Sequence, residues 1–156
     1  MISRRSMTAL IFGWVALLPA SAWAQTRGEI KTETKAHRLA LQISDNSLEK
    51  MNAVLNVAAN VSRYYDERGD EVEIEIVAFN AGMHMLREDT SPVKDRIVNS
   101  LKSLPNISFK ACKNTMDAME KNEGKPVKLV PNIDVVQAGV TRLIELSEQG
   151  WTIVRP

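Results

Sequence analysis

The sequence has little cysteine, glycine, proline and aromatic residue, and it carries no large excess of charge. Of its 156 residues one is cysteine, seven are glycine and six are proline; aromatic residues make up 5% and the formal net charge is +1. So little glycine and proline excludes a collagen-like chain, and 44% hydrophobic residues with balanced charge exclude a disordered tail. These proportions are typical of one globular domain.

The first two dozen residues have the pattern of an export signal. Arg4 and Arg5 form a basic start, residues 8–19 are an apolar run, and the run ends at Ala22-Trp23-Ala24, the small-x-small pattern that signal peptidases cleave. The run is shorter than the roughly 20 residues that a membrane span needs. We predict a signal peptide over 1–24, a flexible polar segment over 25–35, a domain over 36–156, and a bacterial periplasmic location.

The charge of the exported chain limits its partners. Removal of Arg4 and Arg5 leaves 18 basic residues against 19 acidic ones, a net charge of −1. A nearly neutral chain without a basic stripe has no electrostatic footprint for nucleic acid or anionic lipid. We therefore expect no nucleic-acid partner and no membrane association of the mature protein.

Hydrophobic periodicity switches repeatedly between the strand and the helix pattern. The predicted strands are 39–43, 72–79, 107–112, 133–136 and 151–154, with a further short apolar piece at 127–130; the predicted helices are 48–68, a turn at 83–87, one from Ser91-Pro92, one from Asn114-Thr115 to Gly124, and 139–149. This alternation predicts an α/β fold, a three-layer α/β/α sandwich with a mainly parallel sheet of about five strands. The hydrophobic pattern does not predict strand order.

Candidate site residues follow from where ligands bind on parallel sheets. Loops converge, and helix N-termini offer free N–H groups, at the carboxyl ends of the strands. The residues that follow the predicted strands are Asp45 and Asn46, Asn80 and Gly82, Cys112 with Asn114 and Thr115, and Gln137 to Gly139. Helix capping is an alternative role for Asp45 and Asn46.

Cys112 is the one strong nucleophile among these residues. It cannot form an intrachain disulfide because it is the only cysteine. Its place between a strand and a helix would stabilise a thiolate, and Lys110 and Lys113 would add positive charge nearby. The alternative is that Cys112 is a small buried hydrophobe at the end of a core strand.

Other chemistries find weaker support. Met83-His84-Met85 has copper-binding donor types, although methionine at such spacing is more often core filler. The two histidines lack zinc-ligand spacing, and no phosphate loop, Cys-x-x-Cys pair or nucleophile elbow is present. We predict no metal and no cofactor. The charged runs Glu71/Glu73/Glu75 and Glu120/Lys121/Glu123 are interpreted as solvated surface.

Several segments, in this order, resemble the DsrE/DsrF-like family over about residues 36–156. They are the strand ending at Ser44-Asp45-Asn46, Val77 to Gly82, Phe109 to Met116 with its Cys-Lys-Asn-Thr-Met, Gly139 to Leu143, and the closing Gln149 to Pro156. The resemblance implies a parallel α/β sandwich, assembly into oligomers, and a link to sulfur oxidation and sulfur relay. It also implies that Cys112, at the family's cysteine position, carries sulfur as a persulfide.

Two functions follow as hypotheses. The first is an exported sulfur carrier or sulfurtransferase-like protein, a homo-oligomer that exchanges sulfur with a donor or acceptor protein or a small sulfur species through Cys112. The second is a non-enzymatic module that binds a small ligand at the same strand ends and uses Cys112 only for packing. The resemblance implies cytoplasmic relay partners, from which an exported chain would be separated. The sequence therefore does not predict the sulfur donor or acceptor.

Overall fold

Strands and helices alternate along residues 36–156, the part of the chain that the computed structural model describes. The predicted signal peptide and the segment 25–35 lie outside these residues. The elements are β1 (His37–Ile43), α1 (Leu48–Asp66), β2 (Val72–Ala78), a 3-10 helix (Asn80–Met85), α2 (Lys94–Ser103), β3 (Ile107–Cys112), α3 (Lys113–Glu123), β4 (Asp134–Val136), α4 (Gly139–Glu148) and β5 (Thr152–Val154).

The five strands form one sheet in the order β4-β3-β2-β1-β5, and every neighbouring pair is parallel. The register aligns the strand ends, since Ile43 pairs with Ala78 and Ala78 pairs with Ala111. Cys112, the next residue of β3, pairs with Val136 of β4. The predicted fold class is confirmed. Within residues 36–156 no helix is both long enough and apolar enough to cross a membrane.

The two faces of the sheet are covered unequally. One face packs against α1, α2 and α3 around the main core, in which Ile76, Phe109 and Ile97 are almost completely buried. The opposite face holds a smaller cluster, in which Leu143 and Leu146 of α4 contact residues of β1 and β2. The chain therefore leaves β3 toward one face and leaves β4 toward the other, and this divergence opens a crevice between the two strand ends.

Several predicted boundaries were wrong by a few residues, each for a local reason. Helix α2 begins at Lys94 rather than at Ser91, because the Ser91 hydroxyl accepts a hydrogen bond from the Val93 N–H and forms a turn. The apolar piece at 127–130 forms only an isolated antiparallel bridge, between Leu129 and Arg87. Helix α3 begins at Lys113, so that Cys112, and not Asn114, occupies the capping position.

Glu75 is not the solvated residue that its charged neighbours suggested. It is 3% exposed on β2, and its carboxylate receives two hydrogen bonds from Arg142 of α4, at 2.7 and 2.9 Å. A buried carboxylate needs such a partner, because an isolated charge is costly to desolvate. The pair therefore joins α4 to the middle of the sheet.

Gly82 is a packing residue of the 3-10 helix. A Cβ at this position would lie 2.3 Å from the carbonyl oxygen of Ile43, so the helix approaches the end of β1 as closely as a glycine permits. Gly69, by contrast, has open space around it and only a positive φ of 71°.

We predict that Gly82→Ala destabilises the fold much more than Gly69→Ala. A strained left-handed alanine costs about 1–2 kcal/mol, whereas Gly82→Ala must also move backbone in the core and is expected to cost about 3 kcal/mol or more. Urea unfolding of the two variants measures the difference. Equal losses of stability would show that the 3-10 helix can shift freely away from β1.

Candidate functional site

A pocket of about 560 Å³ lies at the carboxyl ends of β2 and β3 and at the starts of α3 and α4. Cys112 forms part of its wall and is 5% exposed. No charged side chain lines it among the residues described. The lining consists of amide, hydroxyl, thiol, small and apolar groups: Phe79, Asn80, Cys112, Asn114, Thr115, Ala118, Met119, Asn122, Ala138, Gly139 and Val140.

The first turns of two helices face the sulfur of Cys112. Burial raises the pKa of the Cys112 thiol, but the Thr115 hydroxyl and the N–H groups of Gly139 and Thr115, which are placed to donate to the thiolate, outweigh burial and lower the pKa below its ordinary value. The Cys112 side chain makes no capping hydrogen bond to α3, so these groups stabilise the charged form as dipoles directed at the sulfur. The site therefore favours a thiolate.

Thr115 links the sulfur to the end of β2. Its hydroxyl accepts a hydrogen bond from the Asn80 N–H at 3.1 Å, and this leaves the hydroxyl proton free to donate to the sulfur. Asn80 has a φ of 50°, a left-handed conformation that costs energy for a residue with a side chain. The turn after β2 is thus held in the geometry that presents its N–H to Thr115.

Gln137 fixes the first turn of α3 from the other side. Its side-chain amide donates to Asn114 Oδ1 at 2.8 Å, and its carbonyl oxygen accepts from the Asn114 N–H at 3.2 Å. The segment after β4 is therefore bonded directly to the segment after β3. Gly139 begins α4 against Phe79, where a Cβ would lie 3.0 Å from the Phe79 Cβ.

Lys110 and Lys113, which were expected to add positive charge near the thiol, are both paired with carboxylates. Lys110 Nζ lies 2.6 Å from Asp134, and Lys113 pairs with Asp117 one turn along α3. Helix N–H groups and the Thr115 hydroxyl, rather than lysines, lower the thiol pKa. A thiolate in this pocket would be stabilised by fixed dipoles, which need no mobile cation.

Three predicted site residues lie elsewhere. Gly82 packs against the end of β1, as described above. Asp45 is exposed, and a hydrogen bond from the Ser47 N–H, at 2.7 Å, lowers the pKa of its carboxyl group. Ser47 is itself the N-cap of α1, and Asn46 is exposed between the two. Asp45 and Asn46 therefore shape the turn before α1 and do not line the pocket.

The methionines of the copper hypothesis pack in the core. Met83 and Met85 are 0% exposed, and the ring of His84 between them is hydrogen-bonded to the Thr90 hydroxyl at 2.9 Å. Residues 36–156 also contain no group of three or more His, Cys, Asp or Glu side chains placed to hold a metal ion. The buried side chains of Met83 and Met85 therefore fill the space under the 3-10 helix.

Five lining residues were not predicted as site residues: Phe79, Ala118, Met119, Asn122 and Val140. Met119 and Asn122 belong to the second and third turns of α3, and with Thr115 and Ala118 they form one face at helical spacing. That spacing is visible in the sequence once Thr115 is assigned to the site. The rule of strand ends selects only the first turn of a helix.

Comparison with known proteins bears on the fold. No protein-family model matches the sequence, and no curated protein matches it. A solved structure of a protein of unknown function, MTH1491 from Methanobacterium thermoautotrophicum, is similar with a TM-score of 0.66 and 25% identity, covering 77% of this chain and 99% of its own. A second, BT1422 from Bacteroides thetaiotaomicron, gives a TM-score of 0.50 and 22% identity, covering 76% and 94%. These likenesses support the α/β fold.

The site can stabilise a small anionic or nucleophilic sulfur. A thiolate in a pocket walled by neutral groups can attack an electrophile that enters, and the surrounding N–H groups can hold negative charge that remains on the product. Among residues 36–156, the pocket lining offers no second titratable side chain that could act as a general base. The chemistry open to the site is therefore that of the sulfur itself.

We predict that Thr115→Val raises the pKa of Cys112 and slows its reaction with iodoacetamide at pH 7. The hydroxyl is one of the donors that favour the thiolate, and each unit of pKa changes the thiolate fraction about tenfold below the pKa. Thr115→Ser keeps the hydroxyl and is the matched control. If Val and Ser variants share the wild-type rate profile, the hydroxyl does not act on the sulfur.

Proposed function

We propose that the protein is an exported sulfur carrier of the DsrE/DsrF-like type, in which Cys112 accepts sulfane sulfur as a persulfide and passes it on. The observation that carries the proposal is the pocket in which Cys112, the Thr115 hydroxyl and the first residues of α3 and α4 lie together. The resemblance of the sequence around Cys112 to that family supports it. Asn80, Asn114, Thr115 and Gly139 shape the pocket.

The transfer balances without an oxidant. The Cys112 thiolate attacks a sulfane sulfur of a polysulfide; the new bond joins Sγ to that sulfur, and the bond to the rest of the polysulfide breaks with its electron pair on the leaving, shorter polysulfide. The transferred sulfur is already at the oxidation level it has in the persulfide. In the second step an acceptor thiolate attacks the outer sulfur, and Cys112 leaves as the thiolate.

The neutral lining favours a small sulfur species as the donor. A peptide-like thiol such as glutathione persulfide carries carboxylate and ammonium groups, which sites recognise with charged partners. This pocket presents amides, a hydroxyl and apolar side chains instead. Inorganic polysulfide needs only the N–H groups around the sulfur, and it is the probe that we choose for the test.

Polysulfide is expected to add one or more sulfur atoms to the folded protein. Intact-mass spectrometry after brief treatment near neutral pH measures the gain, and dithiothreitol should remove it. Cys112→Ser is the matched control and should gain nothing, since Cys112 is the only thiol of the chain.

A thiol that takes up sulfur only after denaturation would reject the carrier function. That result would favour the packing hypothesis, in which the same pocket binds a small ligand and the sulfur is inert. Burial of Cys112 to 5% exposure makes this comparison of folded and unfolded protein necessary.

We also propose that the chain assembles as a homo-oligomer through α4. Val140 and Ile144, one turn apart on this helix, are each 54% exposed. Apolar side chains that cluster on one face favour association with another surface. Because Val140 also lines the pocket, a second copy on this face would lie beside the entrance to Cys112.

Ile144→Glu is therefore expected to reduce the molecular mass in solution from that of an oligomer to that of a monomer. Introducing a charge into an apolar contact leaves it desolvated without a partner. Light scattering coupled to gel filtration measures the mass. Leu48→Glu, at a 53% exposed position on α1, is the control and should leave the oligomer intact. A wild-type monomer would contradict the proposal.

A further inference from the structure

Arg87 is a fully buried arginine that no step of sulfur transfer uses. It is 1% exposed, and its Nε and Nη2 donate to the Asp89 carboxylate at 2.9 and 2.8 Å. Its Nη1 and Nη2 donate to the carboxylate of Glu123, with 2.7 Å from Nη2 to Oε2. Nη1 also lies 3.7 Å from the sulfur of Met119. Arg87 thus bonds the segment after the 3-10 helix to the last turns of α3.

The Arg142–Glu75 pair has the same form on the other face of the sheet. Arg142, in the first turn of α4, donates through Nε and Nη2 to the carboxylate of Glu75, which is buried on β2. Each pair therefore ties one short helix to the body of the fold. The helices they hold, α3 and α4, are the two whose first turns line the pocket with Cys112.

Neither α3 nor α4 buries many apolar side chains. Met116 is the only buried residue of α3, and α4 buries Leu143 and Leu146 besides the glycine at its start. Helices of 10 and 11 residues are too short to be stable alone and take their position from tertiary contacts. A bidentate arginine–carboxylate pair fixes both distance and orientation.

We propose that Arg87 with Glu123, and Arg142 with Glu75, are positioning pairs of the Cys112 pocket: each fixes the helix whose N-terminal groups surround the sulfur. Hydrogen bonds weaken steeply as their length and angle depart from the optimum, so a small tilt of either helix weakens its donors to the thiolate. Met119, held by Arg87, is also placed at the wall of the pocket. The importance of this arrangement for sulfur transfer rests on the proposed function; the arrangement itself does not.

The test is the pH profile of Cys112 alkylation in the purified, folded protein. Arg87→Met and Arg142→Met are each expected to move the inflection of the rate to higher pH and to lower the rate at neutral pH severalfold. The reason is that fewer donors then stabilise the thiolate. Glu123→Gln and Glu75→Gln weaken the same pairs more mildly and should move the inflection in the same direction. If a methionine variant does not fold, the glutamine variant of the same pair tests the inference in its place.

Two controls separate positioning from general loosening. Arg96→Met removes another arginine, one that bonds Asn52 and Asn56 and so joins α2 to α1 away from the pocket. Ile97→Val lowers stability through the main core, where Ile97 is 0% exposed. Both should leave the inflection at the wild-type pH.

An unchanged inflection in the folded pair variants overturns the inference, and so does an equal shift in the two controls. The carrier function is judged separately, by the gain of sulfur from polysulfide in the wild-type protein. If the wild type gains no sulfur but the inflections move as expected, the positioning pairs stand and the proposed function falls. If the wild type gains sulfur and the inflections do not move, the reverse holds.

Discussion

The convergence of two helix N-termini on one sulfur atom is the constraint on which the site depends. It requires that α3 and α4 start beside each other and then run along opposite faces of the sheet, which in turn requires β3 and β4 to be parallel neighbours. Burial alone would raise the pKa of Cys112, and the donors of the two helices with the Thr115 hydroxyl reverse that effect. A flatter arrangement, with both helices on one face, would close the crevice between the strand ends.

Ionisation of Cys112 makes the stability of the fold depend on pH. Because the folded pKa of Cys112 lies below the unfolded value, ionisation adds stability at high pH, fully above the unfolded pKa, and this contribution is lost as the pH falls through the folded pKa. Below that point the neutral thiol fills space at the end of β3 as a small apolar group. The two hypotheses drawn from the sequence differ in whether the ionised form reacts with a species that enters the pocket, because thiol chemistry belongs to that form.

Much of the fold can be predicted from the sequence because local patterns of hydrophobic and polar residues determine its elements. Alternation of strand and helix periodicity predicted the elements and their α/β class, and the rule of strand ends placed Asn80, Cys112, Thr115 and Gly139 together, as the structure does. The two ion pairs, each with one buried partner, were not predictable in this way. Glu75 and Arg142 are 67 positions apart, and Arg87 and Glu123 are 36 apart, so each residue resembles a surface charge until strand order and helix packing bring its partner near. Strand order is a property of the whole sheet, and no single segment encodes it.

The distribution of charge explains why the pocket can be neutral and still favour an anion. Lys110, Lys113, Arg87 and Arg142 are all paired with carboxylates, so their charge fixes elements of the fold instead of facing the sulfur. The positive potential at Cys112 comes from N–H groups, whose direction is set by the helices and which are not displaced by an entering ligand. Such a pocket discriminates between ligands by their size and by whether they carry negative charge near Sγ that the N–H groups can bind. A short chain of sulfur atoms satisfies both conditions, whereas a zwitterionic peptide thiol would bring charges into a pocket whose lining holds none to pair with them.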